Sequence, residues 1–104
     1  MIIAEFRKSG DKLIGFKVGG HSGYAESGQD IICAAVSSAV ELAECIINDS
    51  MNADAKVSVN NKTAEVSVTL KDDDKNARAV IEGLKTYLAY LSEEYPENIR
   101  VREV

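Results

Sequence analysis

The segment from residue 31 to 48 is the most apolar part of the chain, and it constrains the fold more than any other feature. Its apolar side chains recur at helical rather than strand spacing, which predicts a helix that is buried on most sides. When each residue advances about 100° around the helix axis, the polar side chains fall on one narrow stripe. They are Asp30, Cys33, Ser37, Glu41, Glu44 and Asn48. We expect this helix to pack against a sheet and against a second surface, either another helix or a partner subunit.

Segments of alternating polarity precede and follow this helix. Residues 2–8 and 12–18 alternate apolar and polar around Ser9-Gly10-Asp11, which is typical of a β-hairpin. A second hairpin is predicted over residues 56–70 with its turn at Asn60-Asn61-Lys62, because Asn tolerates the positive φ of tight turns. The apolar positions expected on the buried face of the second strand are Ile14, Phe16 and Val18.

A second helix is predicted over residues 74–94, where apolar residues are spaced three and four apart. Asp72–Asp74 provide an N-cap and negative charge at its start, and Pro96 ends it. A short closing strand is predicted at the apolar residues Ile99, Val101 and Val104. The resulting order, ββαββαβ over residues 1–104, predicts a single α+β domain with a mainly antiparallel sheet covered by two helices.

The composition narrows the classes of function. The 104 residues carry a formal net charge of −5, which argues against a nucleic-acid-binding protein and favours a basic partner. No run approaches the ~20 apolar residues of a membrane span, and the first residues lack the pattern of a secretory signal. We therefore expect a cytoplasmic protein without a membrane partner, in which both cysteines are reduced thiols.

One histidine and one cysteine mark the two ends of a glycine-rich loop before the first helix. His21 is the only histidine of the chain, and Cys33 lies in the first turn of the predicted helix if Asp30 is its N-cap. Unpaired N–H groups at this end of a helix favour a thiolate, and a nearby imidazole can accept and return a proton. The glycines of the loop allow His21 to fold back over Cys33 and leave room for a peptide.

Other kinds of site find less support in the sequence. The loop has neither of the glycine patterns that bind nucleotide phosphates, and no cluster of ligands has metal-site spacing, so no cofactor or metal is expected. Cys45 lies about 18 Å from Cys33 along one helix, too far for a shared metal or a disulfide, and is interpreted as structural. Spacing alone leaves a second interpretation open, in which Cys33 is a buried packing residue and His21 a solvated loop residue.

The run from Gly20 to Ser37 resembles the signature of the bacterial ribosomal-processing cysteine proteases, the Prp family. A Gly-His pair, a glycine-rich loop, an Asp-Ile-Ile-Cys-Ala element and a serine one turn later follow the order and spacing of that family. The resemblance implies that His21 is the general base and acid and that Cys33 is the nucleophile. It implies supporting roles for Gly20, Asp30 and Ser37, and a substrate-contacting loop that includes Ser22, Gly23, Tyr24 and Gly28.

The resemblance also implies a substrate and an assembly. Members of the family remove a short N-terminal extension from a large-subunit ribosomal protein, cut after an aromatic residue, and form homodimers. We expect the oxyanion of such a reaction to be stabilised by backbone N–H groups near the start of the first helix. Two alternatives stay open: a non-catalytic ribosome-associated module that grips a peptide with the same loop, and a sensor that reacts with oxidants through Cys33.

Overall fold

The computed structural model describes residues 1–26 and 29–104 and confirms the predicted order of elements. Strands β1 (Ile2–Ser9) and β2 (Lys12–Gly20) precede helix α1 (Ile31–Cys45), which continues into a π-helical turn at Ile46–Ser50. Strands β3 (Ala55–Asn60) and β4 (Glu65–Leu70), helix α2 (Lys75–Glu94) and strand β5 (Ile99–Glu103) complete the chain.

The five strands form one mixed sheet in the order β3-β4-β2-β1-β5. Strand β5 runs parallel to β1, and the other neighbouring pairs are antiparallel. The two helices pack on the face that buries Ile2, Ala4 and Phe6, and the Phe6 ring lies opposite Phe16 with centroids 6.2 Å apart. The predicted α+β architecture is confirmed, and the parallel pairing places the start of β5 beside the start of β1.

The buried face of β2 differs from the prediction at one end. Leu13 is buried, whereas Ile14 is only partly buried. Arg7 pairs with Gly15 and Lys8 pairs with Leu13, so Ile14 is the extra residue of a β-bulge. A bulge shifts the alternation of side chains by one residue, and Leu13 rather than Ile14 therefore faces the core.

Helix α1 is less buried than its composition predicts. Its buried side chains form one stripe: Ile32, Val36, Val40 and Ala43. Ile31 and Leu42 are 60% and 62% exposed, because the sheet and α2 cover one side of the helix only. The expectation of a helix buried on most sides is therefore wrong for the single chain. Contrary to the expectation from the sequence, the segment Ile31–Ser50 is also long and apolar enough to cross a membrane, although core helices of globular domains pass the same test.

The second hairpin has the predicted pairs of valines and a longer turn. Val57 lies opposite Val68 and Val59 lies opposite Val66. The turn between β3 and β4 extends to Ala64, which has a φ of 53°. Its first bend is stabilised by Asn60, whose side-chain oxygen accepts hydrogen bonds from two backbone N–H groups of the turn.

The acidic start of α2 acts as predicted. The Oδ1 atom of Asp74 accepts hydrogen bonds from the N–H groups of Asn76 and Ala77, each at 3.0 Å, which is the geometry of an N-cap. Helix α2 ends at Glu94, and a turn of four residues, 95–98, leads into β5. This turn lies against the loop that carries His21, as described below.

Candidate active site

His21 and Cys33 lie on different elements that meet at one end of the sheet. His21 directly follows β2, and Cys33 is in the first turn of α1. The backbone N–H of Ser22 donates a hydrogen bond to Cys33 Sγ at 3.3 Å, so the residue next to the histidine contacts the thiol directly. The imidazole is exposed and the thiol is half-buried. The fold therefore places His21 and Cys33 at the same end of the sheet, with Ser22 as the residue that contacts the thiol.

Ser22 is the buried residue that connects the loop to the helix. It is only 2% exposed, and its hydroxyl donates to Asp30 Oδ2 while accepting from the backbone N–H of Tyr24 at 3.1 Å. Its carbonyl accepts a hydrogen bond of 2.9 Å from Asn98 Nδ2. Because the N–H, the carbonyl and the hydroxyl all have partners, burial leaves no polar group of Ser22 unsatisfied. The Ser22 side chain is consequently not on the surface that a substrate would contact.

Asp30 acts as the N-cap of α1. Its Oδ1 atom accepts hydrogen bonds from the N–H groups of Ile32 and Cys33, each at 3.0 Å. The hydrogen bond from the Ser22 hydroxyl, together with these backbone donors, lowers the pKa of Asp30 to about 2. Since both carboxylate oxygens are occupied in this way, capping rather than orientation of His21 is the role that the geometry gives to Asp30.

The expected oxyanion hole at the start of α1 is not available in this arrangement. The N–H groups of Ile32 and Cys33 are bonded to the Asp30 side chain, and the N–H of Ala34 is bonded to the Asp30 carbonyl at 3.1 Å. An oxyanion at these groups would have to displace the N-cap. The described backbone donor that points at the sulfur is instead the N–H of Ser22, which comes from the loop.

Gly20 is required by the backbone at the end of β2. Its φ is +92°, and a Cβ atom at this position would lie 2.5 Å from the carbonyl oxygen of Met1. The left-handed conformation turns the chain out of the sheet directly before His21. The supporting role expected for Gly20 therefore has a steric basis here, namely the direction in which the histidine leaves the strand.

A cavity of about 660 Å³ opens between the loop, the first two turns of α1 and the β3–β4 turn. Its lining residues are Gly20, His21, Gly23, Ala25, Asp30, Cys33, Ala34, Ser37 and Ala64. A smaller cavity of about 100 Å³ adjoins it through Gly20, Cys33, Ser37 and Ala64, and has an apolar floor that includes Val36, Val40 and Val66. Within residues 1–26 and 29–104, no group of three or more His, Cys, Asp or Glu side chains is arranged to hold a metal ion.

The remaining predicted site residues take different positions. Ser37 is exposed and lines both cavities, but it has no hydrogen bond to Cys33 in the described part of the chain. Gly23 lines the larger cavity, with a φ of +73°. The Tyr24 ring packs edge-on against Tyr95 at the end of α2, with centroids 5.8 Å apart. Gly28 lies outside the described residues.

Asn98 is the contact that the sequence analysis missed. It lies 76 residues from Ser22 in the chain and follows α2 in the turn that leads to β5. Nothing in its local sequence marks it, since an Asn in a turn is ordinary. The parallel pairing of β5 with β1 would have been the signal, because it places the start of β5 and the end of β2 on the two sides of the start of β1.

Comparison with known proteins identifies the family. Residues 1–100 match the family described as Cysteine protease Prp. The chain belongs to this family. A segment of 41 residues is 46% identical to the Ribosomal processing cysteine protease Prp of Bacillus subtilis (strain 168), and covers 38% of this chain and 37% of that protein. The alignment with this curated relative thus spans less than half of its length.

Solved structures show that the family fold extends over the whole chain. The chain superposes with a TM-score of 0.90 on the essential ribosomal processing protease Prp from S. aureus in complex with a covalently linked product peptide, with 22% identity and full coverage of both chains. It superposes with a TM-score of 0.86 on SMU.848 from Streptococcus mutans, with 22% identity, and covers 94% of that chain. The five-stranded sheet under two helices is therefore the fold of this protease family.

Proposed function

We propose that this member of the cysteine protease Prp family is an endopeptidase in which Cys33 is the nucleophile and His21 is the general base and acid. The observation that carries the proposal is that both side chains line one open cavity, while the intervening Ser22 N–H contacts the sulfur. Acyl transfer requires a nucleophile and a base that lie on neighbouring elements and face the same accessible cleft.

The reaction proceeds by transfer of the acyl group to sulfur. The Cys33 thiol gives its proton to His21, and the thiolate attacks the scissile carbonyl to form a tetrahedral oxyanion. Collapse of this intermediate breaks the C–N bond, and His21 returns the proton to the leaving amine. Water activated by His21 then hydrolyses the thioester and restores the thiol. The Ser22 N–H, which is directed at the sulfur, stabilises the negative charge on the Cys33 thiolate before it attacks.

The substrate that suits this site is a peptide with an apolar side chain at the cavity and a net positive charge. We propose the N-terminal extension of a large-subunit ribosomal protein, as the sequence resemblance implies. The apolar floor beside Cys33 suits a hydrophobic side chain, and Glu41 lies at the rim of the same cavity. A chain of formal net charge −5 attracts a basic ribosomal protein during encounter. The location that we propose with this substrate is the cytoplasm, where ribosomal proteins are made.

Incubation with the unprocessed ribosomal protein, followed by intact mass measurement, tests the proposal. We expect one cut within the extension. Cys33→Ala removes the nucleophile and reduces cleavage to background, and His21→Ala lowers kcat by about 10²–10⁴-fold because proton transfer is lost. Cys45→Ala is the matched control, since this thiol is exposed and lies outside both cavities.

Two outcomes separate an enzyme from the alternative binding module. Cleavage that persists in Cys33→Ala would overturn the assignment of the nucleophile. Binding of the extension by the wild-type protein, measured by calorimetry, without any change in substrate mass would favour the peptide-binding module instead. Circular dichroism of each variant shows whether its fold is retained.

A second copy of the chain is the partner that we propose for the exposed helix surface. The α1–α2 groove is an apolar depression of about 470 Å³ on the side of the helices that faces away from the sheet. Its lining includes Ala35, Ala39, Leu42, Gly83, Leu84 and Tyr87. A dimer that covers this groove would bury Leu42, which is largely exposed in the single chain.

A further inference from the structure

Asn98 lies where the end of α2, the start of β1 and the loop that carries His21 meet. Its backbone N–H donates to the Tyr95 carbonyl at the end of α2 at 2.9 Å, and its carbonyl accepts from the N–H of Ile2 at the start of β1 at 2.8 Å. Its side chain donates to the Ser22 carbonyl at 2.9 Å. The backbone of Asn98 is thus held by the scaffold, and its side chain holds the loop.

The Ser22 peptide groups transmit this contact to the thiol. The carbonyl of Ser22 is bonded to Asn98, and the N–H of the same residue is bonded to Cys33 Sγ. The N–H lies in the peptide between His21 and Ser22, whose carbonyl accepts from the N-terminal amine of Met1, and the Ser22 carbonyl lies in the next peptide. The bonds to Cys33 and Asn98 therefore hold the two peptide planes on either side of the Ser22 α-carbon. Loss of the bond to Asn98 would free the second plane and allow a shift of this α-carbon that lengthens the contact between the N–H and the sulfur. It would displace His21 as well, because His21 is joined to Ser22 through the peptide that carries this N–H.

The Ser22 hydroxyl does not duplicate the function of Asn98. It fixes the side chain of Ser22 to Asp30 and therefore to the N-cap of α1. It also accepts a hydrogen bond of 3.1 Å from the N–H of Tyr24, which restrains the loop after Ser22 but does not involve the Ser22 carbonyl. Within the described residues, the Asn98 amide is the group that restrains the Ser22 carbonyl.

We propose that Asn98 is a positioning residue of the protease, which orients the His21-Ser22 backbone so that the Ser22 N–H and the imidazole both face Cys33 Sγ. This inference rests on the proposed function, with Cys33 as nucleophile, and adds to it a residue from the opposite end of the chain. Asn98 acts through Ser22 and does not touch the substrate.

Two substitutions test the proposal by kinetics. Asn98→Asp keeps the shape of the side chain but replaces the N–H donor by a carboxylate oxygen that repels the Ser22 carbonyl. Asn98→Ala removes the donor without adding charge. We expect kcat for cleavage of the ribosomal extension to fall about tenfold or more in both variants, with KM changed less than about twofold, because substrate contacts are preserved. Glu97→Ala, an exposed neighbour in the same turn, is the matched control and retains wild-type kcat.

Alkylation with iodoacetamide near neutral pH gives a readout that does not depend on a substrate. Loss of the Ser22 N–H donation removes the hydrogen bond that holds Cys33 Sγ beside the His21 loop and assists its reaction as a nucleophile, so its labelling rate falls several-fold. Cys45 in the same molecule is the internal reference. Partial desolvation and the carboxylates of Glu44, Asp49 and Glu41 raise the pKa of the Cys45 thiol, and Asn98 contacts none of these groups. The labelling rate of Cys45 is therefore expected to stay constant in both variants.

The outcomes distinguish this inference from the proposed function. Wild-type kcat and wild-type Cys33 labelling in folded Asn98→Asp would overturn the positioning role. A loss of kcat that accompanies an equal loss in Glu97→Ala would overturn it too, since it would reflect the turn as a whole. If the wild-type protein cleaves nothing, the proposed function fails, and slower labelling of Cys33 in the Asn98 variants still supports the positioning role. Urea unfolding of each variant shows that the folded population is being compared; if Asn98→Asp does not fold, Asn98→Ala decides.

Discussion

At the scale of single residues, the site depends on one small polar residue that makes hydrogen bonds to several partners at once. Ser22 is nearly inaccessible to solvent, yet it links Asp30, Cys33 and Asn98 through three different polar groups. An alanine here would leave Oδ2 of the partly buried Asp30 without the hydrogen bond from Ser22. The hydrogen bond from Ser22 is also the largest cause of the low pKa of Asp30. The residue that caps helix α1 is thus an anion throughout the physiological range.

The low pKa of Asp30 predicts a pH-dependent contribution to stability. A carboxylate with a pKa lowered to about 2 in the folded state stabilises the fold above its unfolded value of about 3.9, and this contribution is lost as the pH falls from about 4 to about 2. The amide side chain in the Asp30→Asn variant still caps the helix but carries no charge. We therefore expect wild type to be more stable than Asp30→Asn at neutral pH, with the difference shrinking between pH 4 and pH 2.

Urea unfolding followed by circular dichroism at a series of pH values measures this difference. Asp72→Asn is the control, because Asp72 is exposed and makes no hydrogen bond or ion pair in the described structure. The difference between wild type and Asp72→Asn should not shrink over the same range. A constant gap for Asp30→Asn down to pH 2 would contradict the role given to the capping carboxylate.

At the scale of elements, the direction in which β2 ends decides where His21 goes. Gly20 takes a positive φ with the Met1 carbonyl close against its α-carbon, so the strand can turn out of the sheet at this point. Gly20→Ala adds a Cβ atom to a residue that has a positive φ and lies close to the Met1 carbonyl oxygen. We expect a loss of roughly 1–3 kcal/mol in the free energy of unfolding, together with reduced cleavage, because the chain must move to relieve the contact.

Gly83→Ala provides the matched comparison in chemical denaturation. Gly83 lies inside α2, where an added Cβ atom meets nothing within 4 Å. The same substitution is therefore expected to stabilise the protein by about 0.5–1 kcal/mol through helix propensity. If the two variants shift the unfolding midpoint in the same direction, the steric account of Gly20 is wrong.

Local patterns predicted the elements but not the contacts between distant ones. The alternation of apolar and polar residues over 2–8 and the aspartates before α2 are local signals, because each involves residues that are close together in the chain. The first hairpin and the N-cap at Asp74 were therefore predictable. The bulge at Ile14 was not predictable. Leu13 and Ile14 are both apolar, so the sequence pattern does not show which of them faces the core. The predicted burial of α1 failed because burial depends on what covers a helix, not on its composition alone. The pairing of Asn98 with Ser22 depends on the order of strands, which no local pattern encodes.

At the scale of the whole molecule, the apolar side chains fall into two layers. One layer lies between the sheet and the helices and contains Phe6, Ile81 and Leu88, each fully buried. The other is the α1–α2 groove on the outer side of the helices, where Leu42 and Tyr87 are exposed. The active-site cavities lie at a different place, between α1 and the β3–β4 turn. Assembly through the groove would therefore leave the cleft accessible to a peptide.

A substitution in the groove tests the proposed dimer. Leu42→Glu places a charge in the surface that a second copy would cover, so we expect the mass in solution to fall from twice 11.3 kDa to 11.3 kDa. Light scattering coupled to size-exclusion chromatography measures this. Ser9→Glu makes the same change of charge at the exposed last residue of β1 and should leave the assembly intact. A wild-type protein that is monomeric at micromolar concentration would contradict the proposal.

The parallel docking of β5 beside β1 has a consequence for the timing of activity. Asn98 comes immediately before β5, so a nascent chain that has emerged only as far as α2 lacks the amide that holds the loop against the thiol. The proposed enzyme would gain its full competence only after β5, the strand that follows α2, has paired with β1.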